Sequence, residues 1–151
     1  MHSGPEPFDS ADVQALVEAQ QEEMRGLYGG EGDIGPAREG RMFESPDGVF
    51  LVTRVDGGVV ACGGVCRFDT VRAELKRMFV LPAARGTGLG RRMLEALEAE
   101  ARRLGYTGIV LETGNRQPEA LGLYTSAGYG PIPCYGAYAA RALSRCFEKT
   151  L

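Results

Sequence analysis

The segment RGTGLGRRML, residues 85–94, places three glycines at alternate positions between a predicted strand and a predicted helix. Glycine adopts backbone conformations that other residues avoid, and a helix begins with several backbone N–H groups that lack a partner within the helix. These N–H groups and the positive end of the helix dipole bind anions, phosphate groups in particular. The segment therefore predicts a strand–turn–helix unit whose turn binds phosphate.

The pattern on either side of this turn predicts an α/β chain of the α+β type. Apolar and β-branched residues predict a hairpin over residues 49–68 and a third strand over 73–82. The helix after the glycines leads to a strand at 108–113, and such a crossover connects parallel strands. The C-terminal tail is expected to add a closing strand. We therefore expect a single domain over residues 1–151, with one mixed, mostly antiparallel central sheet flanked by helices.

The helical segments follow from the spacing of apolar residues. Residues 9–25 have this spacing, and Gly26 is expected to end their helix. The residues before this helix are expected to be unstructured. The stretch 26–48 is long for a connector, which predicts a functional loop. On the helix after the glycine turn, Glu98 and Arg102 are spaced for an i,i+4 ion pair.

Composition and charge limit the class of protein. Of 151 residues, 44% are hydrophobic and the net charge is −3, as in a globular domain without a strongly basic face. No apolar run approaches the roughly 20 residues of a membrane helix, and the N-terminus lacks the pattern of a signal peptide. We therefore expect a cytoplasmic protein that binds neither nucleic acid nor membrane.

The cysteines do not predict a metal site or a nucleophile. Cys62, Cys66, Cys134 and Cys146 match no zinc-binding spacing, and His2 is the only histidine. Cys62 and Cys66 share one face of a predicted strand, which favours reduced thiols that fill core space. No metal is expected, and a Cys–His catalytic pair is excluded unless His2 reaches the site.

Three known glycine-rich motifs bind phosphate, and each requires a different sequence. A Walker loop requires Gly-Lys-Ser or Gly-Lys-Thr, which the chain lacks. A dinucleotide-binding fingerprint starting at Gly86 would place its third glycine at Arg91, so it fails. The pattern Arg-x-x-Gly-x-Gly is matched by Arg85, Gly88 and Gly90. With Arg85 and Arg91 as charged donors, this turn suits a pyrophosphate.

This pattern resembles the acetyl-CoA signature of the GNAT superfamily of N-acetyltransferases. Residues 74–94 resemble the strand, loop and helix of its main motif, and 109–129 resemble the strand and helix that follow. The hairpin at 49–68 also fits, so the likeness covers about two-thirds of the chain in the same order. The second segment carries the pattern Ala-x-x-x-Tyr-x-x-x-Gly-aromatic at Ala120, Tyr124, Gly128 and Tyr129.

The resemblance implies acetyl-CoA as co-substrate. Its diphosphate would lie on the glycine turn, and its pantetheine arm would lie between two parallel strands that splay apart. Gln117 stands where family members often carry an Asn that contacts the cofactor. The residues expected to bind acetyl-CoA are Met78, Phe79, Val80, Arg85, Gly86, Thr87, Gly88, Leu89, Gly90, Arg91 and Gln117.

The resemblance also implies direct attack by an amine in a ternary complex, without an acyl-enzyme. Tyr124 is the expected general acid, since a phenol that is held close can donate to a leaving thiolate. Glu74, at the start of the central strand, is the expected base. Glu112, at the end of the next strand, is its rival.

The acceptor is expected to be a primary amine of a small molecule or peptide. Its site should lie between the first helix, the 26–48 loop and the tail, where arginines would suit a substrate carboxylate. A non-catalytic acyl-CoA-binding module and a nicotinamide-dependent enzyme remain alternatives, and a homodimer remains open. The polar and aromatic residues available for this site are Tyr28, Arg38, Arg41, Tyr135 and Tyr138.

Overall fold

The computed structural model describes residues 2–29 and 41–151, which form one seven-stranded sheet and three α-helices. The strands are β1 His2–Pro5, β2 Val49–Val55, β3 Gly58–Arg67, β4 Arg72–Val80, β5 Gly108–Gly114, β6 Gly130–Ile132 and β7 Ser144–Thr150. The helices are α1 Ala11–Tyr28, α2 Leu89–Arg103 and α3 Pro118–Ser126. The spatial order is β1-β2-β3-β4-β5-β7-β6, with β4 and β5 parallel and every other pair antiparallel. The predicted mixed, mostly antiparallel sheet is confirmed.

The sheet carries a hydrophobic cluster on each face. Met93, Leu94 and Leu97 of α2 pack on one face, together with side chains of α3. Val13 and Leu16 of α1 pack on the other face with aromatic residues of β2 and its neighbours. The two faces of β4 and β5 are therefore covered by different helices, so a ligand that enters between these strands meets both α1 and α3.

The first helix is longer than the sequence predicts. Ser10 is its N-cap and accepts a hydrogen bond from the Val13 amide at 3.2 Å, but the helix runs through Gly26 to Tyr28. Glycine inside a helix costs only about 1 kcal/mol, which tertiary contacts can offset. Tyr28 is buried, and its hydroxyl accepts a hydrogen bond from the Arg116 amide at 2.9 Å. This contact stabilises the final turn, and the prediction that Gly26 ends the helix is wrong.

Two further predictions are corrected by long-range contacts. The first residues are not unstructured, since His2–Pro5 pair with β2 as an edge strand. Glu98 is buried, and instead of binding Arg102 its carboxylate accepts from Tyr129 Oη at 2.8 Å and Lys149 Nζ at 3.0 Å. A buried carboxylate requires such partners, and here they come from elements distant in sequence.

Candidate active site

The parallel strands β4 and β5 separate part-way along their length. Their register pairs Arg72–Leu75 with Gly108–Leu111 and ends there, although both strands continue. A bulge in β4 follows, because the register with β3 shifts and Arg77 takes a φ of +58°. An extra residue on one strand bends that strand away from its neighbour. The strands therefore splay apart, as the resemblance implied.

Successive peptide groups along a strand point to opposite edges of that strand. This alternation decides which backbone groups of β4 face the gap. The Leu81 amide donates to the Val60 carbonyl of β3 at 2.9 Å, so the peptide groups of Phe79, two residues earlier, also face β3. The intervening peptide groups of Met78 and Val80 face the gap. Of the three residues predicted to bind through their backbone, Met78 and Val80 are therefore the two whose backbone is directed there.

Two side chains already bind the carbonyls of these residues. Gln20 Nε2 donates to the Met78 carbonyl at 3.1 Å, and Arg85 Nε donates to the Val80 carbonyl at 2.9 Å. Arg85 also contacts the Glu23 carboxylate at 2.8 and 3.0 Å. Arg85 thus joins β4 to α1 in this structure, in addition to its position beside the glycine turn.

The glycine turn adopts left-handed backbone conformations. Gly86 has a φ of +79° and Gly88 a φ of +82°, a region that side chains disfavour. Gly88 occupies the N-cap of α2, so the first amides of this helix are left accessible to an anion. Thr87 Oγ1 donates to the Ala84 carbonyl at 2.8 Å, which stabilises the turn from within.

A cavity of about 480 Å³ lies between this turn, α1, α3 and the splayed strands. All the residues predicted to bind acetyl-CoA line it except Thr87. Arg91, on the first turn of α2, donates to Ser126 Oγ. Gln117 accepts from Thr113 Oγ1 at 3.0 Å and donates to Met24 Sδ at 3.3 Å.

A second cavity, of about 140 Å³, lies on the other side of the gap. The charged residues that line it are Glu74, Lys76, Arg77, Glu112 and Arg141. The two cavities share Gln20, Met24, Met78, Gln117, Ala120 and Tyr124. They therefore meet between α1, α3 and the bulge of β4.

Tyr124 is at this junction. Its side chain is buried, and its hydroxyl has no hydrogen-bond partner among residues 2–29 and 41–151. Burial raises the pKa of Tyr124 above its ordinary value, and the charge of Glu112 adds to this effect. The hydroxyl consequently stays protonated at neutral pH and is available as a donor.

Glu74 and Lys76 form an ion pair in the smaller cavity, and each also contacts a tyrosine hydroxyl. Glu74 Oε2 accepts from Tyr135 Oη at 3.3 Å and lies 3.7 Å from Lys76 Nζ. Lys76 Nζ also donates to Tyr138 Oη at 3.2 Å. Burial alone would lower the pKa of Lys76, but the charge of Glu74 and the hydrogen bond to Tyr138 raise it overall. Lys76 therefore stays cationic and neutralises Glu74.

Glu112 and Arg141 form a second pair, with the same separation as the first. Glu112 accepts a hydrogen bond from Ser144 Oγ, and its Oε2 lies 3.7 Å from an Arg141 guanidinium nitrogen. The Arg141 guanidinium also lies 5.9 Å from the centre of the Tyr28 ring. Burial raises the pKa of Glu112, although Ser144 and Arg141 act in the opposite direction.

The family assignment follows from comparison with known proteins. Residues 13–129 match the model of the Acetyltransferase (GNAT) family, which is more than half of the chain. The chain belongs to the GNAT acetyltransferase family. It is accordingly an acetyl-CoA-dependent N-acetyltransferase, as the sequence predicted.

Individual relatives agree with this assignment. The chain is 41% identical over 127 residues to the IAA acetyltransferase of Azospirillum brasilense, covering 80% of this chain and 82% of the relative. It is 32% identical over 123 residues to the N-alpha-acetyltransferase RimI of Mycobacterium tuberculosis, covering 79% and 73%. The crystal structure of the PaiA N-acetyltransferase of Thermoplasma acidophilum, solved with coenzyme A, superposes with a TM-score of 0.72 at 16% identity, covering all of both chains.

The residues that the sequence predicts for the acceptor of this GNAT acetyltransferase are only in part near the smaller cavity. Tyr28 and Tyr138 line the smaller cavity, and Tyr135 binds Glu74 beside it. Arg41 lies in a 3-10 turn at Arg41–Phe43 that packs against β2 and β3, away from both cavities. Arg38 lies outside the described residues.

Lys76, Arg77 and Arg141 are the charged residues of the smaller cavity that sequence reasoning missed. The alternation of side chains along β4 gives a signal for Lys76. This residue lies two positions from Glu74 and therefore on the same face of the strand. The sequence gives no such signal for Arg141, because the position of this residue depends on how the segment between β6 and β7 folds back over β5. Within the described ranges, the cations that line the smaller cavity come from β4 and the C-terminal segment.

A disulfide between Cys134 and Cys146 anchors that C-terminal segment. Cys146 is the cross-strand neighbour of Glu112, and the segment closed by the disulfide carries Tyr135, Tyr138 and Arg141. Sequence spacing did not reveal this pairing. Three residues at the acceptor side thus lie within one covalently closed loop.

We expect reduction of this disulfide to weaken acceptor binding and lower stability. The free energy of unfolding should fall by about 3 kcal/mol, the value expected for a loop of this size. The KM for the acceptor should rise while the Kd for acetyl-CoA is unchanged. Urea unfolding and initial rates with and without dithiothreitol measure both effects. The double variant Cys134→Ser/Cys146→Ser is the control and should not respond to dithiothreitol; equal responses would contradict the prediction.

The remaining cysteines, Cys62 and Cys66, are buried thiols that form no disulfide within the described ranges, as predicted. Burial raises the pKa of the Cys62 thiol to about 12, so it is not a thiolate at neutral pH. Among the residues whose placement is described, no cluster of His, Cys, Asp or Glu side chains is arranged to hold a metal ion. Within the same ranges, no helix has the length and apolar character needed to cross a bilayer.

Proposed function

We propose that the enzyme acetylates a primary amine of a small molecule or peptide by direct attack in a ternary complex. The observation that carries this proposal is the meeting of two cavities at Tyr124, between the splayed strands. One cavity is bordered by the glycine turn, and the other is lined by charged side chains. Two substrates can therefore approach each other from opposite sides without a covalent enzyme intermediate.

The larger cavity fits acetyl-CoA. The N-terminal amides of α2 and the open turn at Gly86 and Gly88 suit its diphosphate, with Arg91 as a charged neighbour. The N–H groups of Met78 and Val80 face the gap, where the amides of a pantetheine arm would lie. Gln117 and Arg85 border the same cavity. When bound, acetyl-CoA supplies the activated acetyl group as a thioester.

Tyr124 is the proposed general acid. Its hydroxyl holds a proton at the junction of the cavities and lacks a competing acceptor among the described residues. Its raised pKa makes Tyr124 a weaker acid than an exposed tyrosine. Its hydroxyl would therefore first donate a hydrogen bond to the negative charge that develops on the leaving thiolate, and full proton transfer would follow.

Glu112 is the base proposed here, in place of Glu74, which was the base expected from the sequence and is now its rival. Both carboxylates line the smaller cavity. Each lies 3.7 Å from a cation and accepts one hydrogen bond, Glu74 from Tyr135 and Glu112 from Ser144, so burial is what distinguishes them. A carboxylate whose pKa is raised by burial is closer to the value that suits proton abstraction near neutral pH. Glu112 Oε therefore accepts the proton of the incoming amine.

The pH dependence of kcat distinguishes the two carboxylates. The base must be deprotonated, so kcat should fall as pH decreases through the pKa of Glu112, which lies above the ordinary glutamate value. The groups that face Glu112 are Arg141, Lys76, Glu74 and Ser144. We expect Glu112→Gln to lower kcat at least about tenfold and to remove the acidic limb. Glu74→Gln should retain that limb; the reverse result would make Glu74 the base.

Release of free CoA thiol in the presence of a panel of primary amines tests the proposed function. Thiol release that depends on an amine, with an acetylated product detected by mass spectrometry, supports it. Binding of acetyl-CoA without transfer to any amine would favour a non-catalytic module. Calorimetric binding of NAD(H) in place of acetyl-CoA would overturn the proposal.

A cytoplasmic location and a homodimer stay predictions from the sequence. Disulfides such as Cys134–Cys146 are rare in the reducing cytoplasm, so the redox state of the protein in its host compartment bears on that location. Labelling of free thiols in protein isolated under acid quench would measure this state.

A further inference from the structure

Gln20 is a polar residue on the buried face of α1. The other buried residues before it recur at helical spacing, and Val13, Leu16 and Val17 pack on the sheet as apolar side chains. Gln20 continues the same stripe and is only 7% exposed. Its side chain lines both cavities. An amide is therefore present at the junction of the cavities, at a position where packing alone would favour an apolar side chain.

The side-chain amide of Gln20 is only partly satisfied. Its Nε2 donates to the Met78 carbonyl at 3.1 Å, which fixes the nitrogen on the side of β4. Its Oε1 is buried and accepts no hydrogen bond from residues 2–29 and 41–151. A buried acceptor without a donor is rare and costs free energy, because it has lost its bonds to water and gained none in return. The tether to Met78 explains the nitrogen of this amide and leaves its oxygen without a role.

The attacking amine is the substrate group that brings a donor to this junction. The thioester of acetyl-CoA presents a carbonyl oxygen and a sulfur, neither of which carries a hydrogen, whereas an amine carries N–H groups. The last torsion of a glutamine side chain is soft, so a modest rotation would turn Oε1 towards the junction. The nitrogen has two hydrogens, and one of them would still reach the Met78 carbonyl.

A primary amine has one hydrogen for each of two acceptors. In the proposed transfer its lone pair forms the C–N bond, the C–S bond breaks, and Tyr124 protonates the leaving thiolate. Glu112 takes one hydrogen of the nitrogen as a proton, and the second hydrogen remains on the nitrogen of the product amide. A secondary amine has a single N–H, which Glu112 would remove. Its second substituent would then face Gln20 and leave the buried oxygen unpaired.

We propose that Gln20 Oε1 accepts a hydrogen bond from the N–H that the acceptor retains, and that Gln20 thereby selects primary over secondary amines. This inference rests on the proposed function and adds a specificity-determining residue of α1 to it. The same hydrogen bond orients the nitrogen, because its lone pair faces the thioester when both hydrogens are held by acceptors. A site with a buried polar group discriminates strongly against an analogue that cannot pair with that group.

Matched amines test the preference in the parent enzyme. An acceptor is compared with its N-methyl derivative, for example isopentylamine with N-methylisopentylamine. We expect kcat/KM to be at least about 10-fold higher for the primary amine. Binding of the two acetylated products to the CoA-bound enzyme gives a readout that does not depend on turnover. The product that keeps its N–H should bind at least about 10-fold more tightly than the N-methylated product, as measured by calorimetry.

A variant of Gln20 assigns the preference to this residue. Gln20→Met keeps the length of the side chain and removes both polar atoms. It should lower kcat/KM for the primary amine about 10-fold more than for the secondary amine, with the Kd for acetyl-CoA unchanged. A purely structural role would lower both rates together and leave their ratio unchanged. Gln14→Met is the matched control, since Gln14 Nε2 on the same helix donates to the Phe8 carbonyl at 2.7 Å but lines neither cavity. This control should behave as the parent enzyme.

The outcomes separate this inference from the proposed function. Equal use of primary and secondary amines by the parent enzyme would overturn the inference and leave the proposed function intact, as would an unchanged ratio in Gln20→Met. A rise of about 10-fold in the Kd of that variant for acetyl-CoA, with the ratio unchanged, would assign Oε1 to the pantetheine arm and overturn the inference as well. If no amine is acetylated although acetyl-CoA binds, the proposed function fails and the inference fails with it.

Discussion

Gly88→Val is expected to abolish measurable binding of acetyl-CoA. The valine side chain would project from the N-cap of α2 in the wall of the larger cavity, where no protein atom lies within 4 Å of an added Cβ. It would therefore occupy space needed by the diphosphate. Loss of two hydrogen bonds to a charged group corresponds to about 3 kcal/mol, or at least about 100-fold in Kd. Isothermal titration with acetyl-CoA measures the change.

Backbone strain must be separated from this effect. Gly88 has a φ of +82°, and a β-branched residue in that conformation costs about 1–2 kcal/mol by itself. Gly105, at the other end of α2, has a φ of +97° and equally open surroundings. Gly105→Val should lose similar stability and retain acetyl-CoA binding. If both variants bind acetyl-CoA as the parent does, the turn is not the diphosphate site.

Tyr124→Phe is expected to lower kcat about 100-fold with little change in the Kd for acetyl-CoA. The variant removes only the hydroxyl at the junction of the two cavities. Because this hydroxyl has no hydrogen-bond partner in the described ranges, its loss should not lower the melting temperature. Rates at saturating substrate over a range of pH, together with calorimetry, measure the two effects. An unchanged kcat at every pH would exclude Tyr124 as the acid.

Tyr129→Phe is the matched control for the loss of a tyrosine hydroxyl. The Tyr129 ring lies 5.8 Å from that of Tyr124, but its hydroxyl donates to the buried Glu98 carboxylate. Its removal should therefore lower the free energy of unfolding by about 1–2 kcal/mol and leave kcat unchanged. Tyr124→Phe should therefore lower the rate without changing the stability, and Tyr129→Phe should lower the stability without changing the rate.

The cofactor side of the site was predictable because its chemistry is local in sequence. Gly86, Gly88 and Gly90 lie within one turn, and the strand before them and the helix after them follow from apolar spacing. Tyr124 was predictable because the family pattern around it is also short. The splay of β4 from β5 depended on the resemblance, since the bulge at Arg77 has no signature in a single sequence.

The acceptor side was less predictable because its residues come together only in three dimensions. Arg141 and Glu112 are joined by the pairing of β5 with β7 and by the disulfide at Cys146. The errors at Gly26, at the N-terminus and at Glu98 have the same origin, since contacts distant in sequence override local propensity.

A crystal structure of the enzyme with acetyl-CoA tests the central claim most directly. We expect the diphosphate on the backbone amides of residues 86–91 and the thioester in the gap between β4 and β5, next to the Tyr124 hydroxyl. A structure in which acetyl-CoA binds elsewhere, with these amides contacting only solvent or protein side chains, would contradict it.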